Sequence, residues 1–140
     1  CIRDRDGSAL DQGEEALEEL VEALQRTAKA YPQTTFLATG SQDILVDQQR
    51  TWQLTNGVPE LDRFTGTGDV VGALIAALLG SGVDTPEAVI AAVSYFNLCG
   101  EQAADGKGLA AFRQETLNQL SLQMEKEWWR EIKGWEKQWI

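Results

Sequence analysis

The sequence predicts an α/β chain that supplies part of a larger fold. A helical pattern precedes a cluster of short strand patterns, and a glycine-rich turn joins that cluster to a run of further helices. The strands are too few for a complete doubly wound sheet, so the 140 residues fit half of a domain better than a whole one.

The first helix is expected over Gly13 to Tyr31. Leu17, Leu20, Val21, Leu24 and Ala28 fall on one stripe, with Glu14 and Glu15 near the start and Arg26 and Lys29 near the end, as the macrodipole favours. Pro32 stops it. Thr34 to Thr39 reads as a buried strand ending at Gly40, and Ile44 to Val46 and Thr51 to Leu54 read as a hairpin. Asn56-Gly57 signals a turn, and Leu61 to Thr65 leads into a glycine loop. From Asp69 onward Val70, Val71, Ala73, Leu74, Ile75, Ala77, Leu78 and Leu79 are apolar nearly all round, which predicts a buried helix ending at Gly80 and Gly82.

Thr85-Pro86-Glu87 opens the next helix, with Thr as cap, and it runs to about Ala104. After the Asp105-Gly106-Lys107-Gly108 turn, a last helix carries Phe112, Leu117, Leu120 and Met124. Trp128, Ile132, Trp135 and Trp139 recur at helical spacing, so residues 125–140 are expected to form a Trp-rich helical tail that packs on the body or on a neighbouring subunit.

Composition narrows the chemistry. Asp and Glu total 22 against 12 Lys and Arg, a formal net charge of -10, which argues against nucleic-acid or anionic-membrane binding. There is no histidine, which removes Ser-His-Asp triads, His-based proton transfer and most zinc sites. Cys1 and Cys99 form neither a disulfide framework nor a metal spacing. No apolar run reaches the roughly 18 residues of a membrane span, and no secretory signal is visible, so the expected location is the cytoplasm. The chain opens at Cys1 without an initiator Met, which points to a fragment or a processed chain.

The chemistry concentrates in Phe64-Thr65-Gly66-Thr67-Gly68-Asp69. Gly66 and Gly68 let the backbone turn sharply and approach a ligand closely. The first amides of the following helix point into that bend without intrahelical partners, and the helix dipole adds partial positive charge. Such a loop can hold phosphoryl oxygens and the charge that develops during their transfer. Asp69 beside it can accept the proton of an attacking hydroxyl. Asp in this position also caps helices, so the loop alone leaves both roles open. There is no Gly-Lys-Ser or Gly-Lys-Thr of a Walker loop, and the third glycine and downstream acid of a dinucleotide fingerprint are absent from their places.

Gly66-Thr67-Gly68-Asp69 resembles the Gly-Thr-Gly-Asp signature of the ribokinase-like superfamily, and within it the chain resembles the hydroxyethylthiazole kinases of thiamine salvage. Phe36 to Gly40, Asn56-Gly57-Val58-Pro59, Phe64 to Gly68, Ala88 to Ala104 and Gly108 to Arg113 carry the likeness, in order, up to about Leu122. The resemblance implies the C-terminal half (residues 1–140) of one ribokinase-like three-layer α/β/α sandwich. It implies that Asp69 is the catalytic base, that Gly66, Thr67 and Gly68 form the anion hole, that Thr39 contacts ATP, and that Gly66 lies against the thiazole alcohol. The implied reaction is ATP-dependent phosphorylation of 4-methyl-5-(2-hydroxyethyl)thiazole, with Mg²⁺ bridging the phosphates and a homotrimer as the assembly.

The chain departs from that family in places. The thiazole kinases usually carry Cys where this chain has Asp69, and an acid where Ser41-Gln42 follows Gly40. Asp is the better base near neutrality, because a thiol with a pKa of about 8.5 stays mostly protonated there. The early strands that bind the alcohol, the Asn-x-x-Glu stretch that organises magnesium and an ATP-contacting Arg do not occur in the chain, so no metal ligand is assigned and the 140 residues alone are expected to be inactive. A ribokinase-fold NAD(P)H-hydrate dehydratase and a non-catalytic fragment serving association are the alternatives.

Overall fold

The computed structural model describes residues 13–139, which divide into two compact units. The first comprises the chain up to Thr55 together with the segment from Gly134, and the second runs from Asn56 to Lys133.

In the first unit, α1 (Glu14–Ala30) lies against a four-stranded antiparallel sheet of order β1-β2-β3-β4. The strands are β1 (Phe36–Ala38), β2 (Asp43–Val46), β3 (Arg50–Leu54) and β4 (Gly134–Gln138). The helical stripe read from the sequence is the face that packs. Leu24 and Ala28 meet Ala38, Ile44 and Val46, with Leu17, Leu20, Val21, Phe36 and Trp139 around them. The expected hairpin is present, with Leu45 opposite Trp52 and Val46 opposite Thr51. Every residue of β2 is buried, which is why Ile44-Leu45-Val46 is a continuous apolar run rather than an alternating one.

The tail corrects the sequence reading. The described part of the tail expected over residues 125–140 does not form an α-helix: short 3₁₀ turns at Gln123–Glu125 and Trp128–Glu131 give way to β4, antiparallel to β3 with Trp52 opposite Glu136 and Leu54 opposite Gly134. The cause is a long-range partner that local periodicity does not register. Trp52 Nε1 donates to Glu136 Oε2 at 2.8 Å, the Trp139 amide donates to Gln49 O at 3.0 Å, and Lys29 Nζ lies 5.2 Å from the Trp139 ring centre. Trp128 packs edge-on against Tyr95 with centres 5.0 Å apart, while Trp129 is 54% exposed.

The second unit is built around α3 (Thr85–Ala103), whose Val89, Val93, Phe96, Leu98 and Cys99 are buried. Here Asp84 is the N-terminal cap and Thr85 the first helical residue, one place earlier than the sequence suggested. Flanking it are α2 (Thr67–Gly80) and α4 (Leu109–Leu122). The Tyr95 hydroxyl donates to Leu120 O, and Thr116 Oγ1 donates to Phe112 O at 2.8 Å.

A further correction concerns α2. Its apolar circumference predicted burial, yet Val71 is its one buried residue, and Ala73, Ala76, Ala77 and Leu79 (41% exposed) face outward. Among the described residues its main packing surface is α3, for a helix that is apolar on all sides.

Burial around α3 shapes the alkaline response. Desolvation pushes the Cys99 thiol up from 9.0 to about 12. Desolvation, aided by the neighbouring Cys99, likewise pushes the Tyr95 phenol up from 10.0 to about 12. Both folded-state values exceed the unfolded ones, so the stability they contribute is complete below pH 9.0 and is lost as pH rises towards about 12. Urea midpoints measured across that range should fall with pH, and Cys99→Ala should flatten the first part of the decline. In the folded protein at pH 8, Cys99 should also resist thiol-specific reagents, since little thiolate is available.

Candidate functional site

Within the second unit, the chain from Asn56 to Asp69 is pinned before it reaches α2. Asn56 is buried, and Gly57 has a φ of +121°, a conformation that side chains disfavour. A 3₁₀ turn at Pro59–Arg63 follows, with Leu61 buried in the space left by the missing Cβ of Gly100, where a methyl group would come within 2.8 Å of Leu61 Cδ1. Phe64 then packs edge-on against Phe112, with centres 5.9 Å apart.

The loop turns at Gly66, which caps α2 in the left-handed region with φ +105° and ψ -4°. The first helical hydrogen bond runs from the Val70 amide to Gly66 O at 3.1 Å, so the amides of Thr67, Gly68 and Asp69 have no partner within the helix. These free N–H groups and the dipole of a 14-residue helix give the N-terminus of α2 partial positive charge. Asp69 is the third helical residue and is exposed. Among the described residues no hydrogen bond or ion pair engages its carboxylate, which leaves it free to accept a proton rather than tied up as a cap.

A side chain at position 66 would meet no atom within 4 Å, so substitution there acts through the backbone alone. Gly66→Ala should cost roughly 1–2 kcal/mol of stability by forcing a Cβ into the left-handed region, readable as a lowered urea midpoint. It should also weaken phosphate binding, because the three free amides would lose their common aim.

Thr39 belongs to the first unit. It occupies the turn between β1 and β2, where the Gly40 amide donates to Asp43 Oδ1 at 3.2 Å and closes the bend. The structure thus sets Gly66 as the cap and Thr67, Gly68 and Asp69 as the first turn of α2, and places Thr39 in a hydrogen-bonded turn of its own unit. No group of three or more acidic, Cys or His side chains suited to a metal ion occurs among the described residues, so they do not fit an all-protein magnesium site. None of the described helices is long and apolar enough to cross a membrane.

Sequence reasoning missed Glu101. It is the lone charged residue between Glu87 and Asp105, set in the otherwise uncharged C-terminal stretch of α3. Its Oε1 accepts hydrogen bonds from Asn56 Nδ2 at 3.1 Å and from the Gly57 amide at 2.8 Å.

The model of the hydroxyethylthiazole kinase family matches residues 4–127. The chain belongs to the hydroxyethylthiazole kinase family. It is 63% identical over 131 residues to a hydroxyethylthiazole kinase of Enterococcus faecalis, covering 92% of this chain and 48% of the relative. It is 60% identical over 133 residues to one of Lacticaseibacillus casei, with the same coverage of 92% and 48%. The solved structure of a hydroxyethylthiazole kinase protein from Pyrococcus horikoshii OT3 superposes with a TM-score of 0.78 at 28% identity, over 94% of this chain and 52% of that one. The chain therefore spans about half the length of the hydroxyethylthiazole kinases it matches, and its fold class is the α/β, ribokinase-like fold expected from the sequence.

Proposed function

We propose that the chain is the C-terminal half of one ribokinase-like domain that phosphorylates a small heterocyclic alcohol, 4-methyl-5-(2-hydroxyethyl)thiazole, in thiamine salvage. The observation that carries this reading is the loop at Gly66–Asp69, with three unpartnered amides and an unengaged carboxylate in a chain of this family.

In this reading ATP donates its γ-phosphoryl group and Thr39 contacts the nucleotide. Gly66 lies against the alcohol, whose hydroxyl oxygen attacks phosphorus while Asp69 takes the proton. The bond from phosphorus to the ADP oxygen breaks as the new one forms. The amides of Thr67, Gly68 and Asp69 hold the transferring oxygens, whose charge they meet without reorganisation. Mg²⁺ serves the phosphates in such kinases, but no step is assigned to it, because these residues contain no ligand cluster. The enzyme is a cytoplasmic homotrimer in the same reading, which sedimentation of the full-length polypeptide tests.

The decisive experiment is turnover of the full-length polypeptide with ATP and the thiazole alcohol. Formation of ADP and the phosphorylated alcohol in equal amounts is expected. ATP hydrolysis coupled to dehydration of NADH hydrate, with no phosphorylated thiazole, would overturn the kinase reading in favour of the dehydratase branch.

A further inference from the structure

Asn56 is 3% exposed, yet both polar atoms of its amide are engaged. Nδ2 donates to Glu101 Oε1 and to Glu131 O, each at 3.1 Å, and Oδ1 accepts the Lys133 amide at 2.6 Å. Glu101 Oε1 also accepts the Gly57 amide at 2.8 Å. A single oxygen from α3 thus fixes two successive residues at the start of the segment leading to the phosphate loop, and Asn56 passes that restraint to the end of the unit at Lys133.

We propose that Glu101 is a positioning residue for the phosphate-holding loop, acting through Asn56 and Gly57 without touching substrate; the inference rests on the phosphoryl-transfer reading above. Adjacent residues of α3 grip the segment at separate points. Glu101 holds Gly57, and Gly100 leaves the space that Leu61 fills. Phe64 is then held by Phe112, two residues before the left-handed turn at Gly66. The two bonds at Glu101 hold the segment at its upstream end, before Leu61 and Phe64 dock. An apolar residue at 101 would leave Asn56 Nδ2 and the Gly57 amide without their shared acceptor, and the segment would shift along α3 to find others. Displacements of that size at remote positions lower the chemical step more than they weaken binding.

The test compares Glu101→Ala and Glu101→Gln in the full-length polypeptide. Glu101→Ala should lower kcat by about tenfold or more while leaving both KM values within about threefold, because substrates still bind to a loop that is less well aimed. Glu101→Gln keeps an acceptor oxygen and should restore kcat to within about threefold of the parent. Hydrogen exchange, read independently of turnover, should quicken by about tenfold at residues 57–66 in Glu101→Ala and return towards the parent in Glu101→Gln.

If Glu101→Ala does not fold, Asn56→Asp replaces it. That change sets two carboxylates together and should depress kcat and quicken exchange at residues 57–66 in the same way. Unchanged exchange at 57–66 or undiminished kcat, in Glu101→Ala or in the variant that replaces it, would overturn the proposal. A parent protein that transfers no phosphate to the thiazole alcohol would overturn the kinase reading instead, and the exchange measurement would still decide whether Glu101 holds the segment.

Discussion

Replacing Asp69 with Asn should lower kcat for alcohol phosphorylation by roughly two to four orders of magnitude, the usual contribution of a positioned general base. The substitution is nearly isosteric, and the side chain is exposed and unbonded among the described residues, so packing and the Gly66 turn should survive it. What disappears is the proton acceptor of the proposed mechanism. Unchanged urea midpoints together with the lost rate would separate chemistry from folding, whereas activity that persisted in full would remove Asp69 from the mechanism. Asp69→Cys makes a sharper comparison, because it installs the residue that thiazole kinases usually carry. A thiol with an ordinary pKa of about 8.5 should give a rate that climbs with pH through that value.

The second large effect is expected at Gly134, the first residue of β4. A Cβ there would come within 2.3 Å of Gln53 O and 3.2 Å of Leu54 Cα, both backbone atoms of the strand it pairs with. No side-chain rotation relieves such a contact. Gly134→Val should therefore detach β4 at its start, at a cost of about 1–3 kcal/mol and more if the whole strand peels away. Detachment would break the bond from Trp52 Nε1 to Glu136 and uncover a tryptophan that is now buried. A red-shifted tryptophan emission and faster exchange at residues 51–54 would report it, and an unshifted spectrum with normal stability would show that the strand tolerates the side chain.

The contrast between α1 and β4 explains what could be read from the sequence. Leu17, Leu20, Val21, Leu24 and Ala28 announce their helix because the pattern that buries them is local, and the same holds for the hairpin that pairs Leu45 with Trp52. In β4 the deciding partner is a strand some eighty positions earlier, and Trp128, Ile132, Trp135 and Trp139 happen to mimic a helical stripe. The turn into α2 was legible because a glycine just before an apolar helix readily takes the left-handed cap, as Gly66 does, whereas Gly68 is an ordinary residue of the first helical turn. Glu101 escaped notice because its partners, Asn56 and the Gly57 amide, sit more than forty residues away, although its isolation in an apolar helix was visible.

The outward-facing side of α2 couples the site to its surroundings. Three unpartnered amides and a helix dipole exist only while the first turn of that helix is wound, and a helix of 14 residues is marginal by itself in water. Ala73, Ala76, Ala77 and Leu79 lie on its exposed side, so covering them would favour the wound state. In the proposed mechanism, winding and phosphate capture are thus linked equilibria. Whatever removes water from that side tightens the grip on phosphate, and by reciprocity bound phosphate strengthens that cover by the same factor.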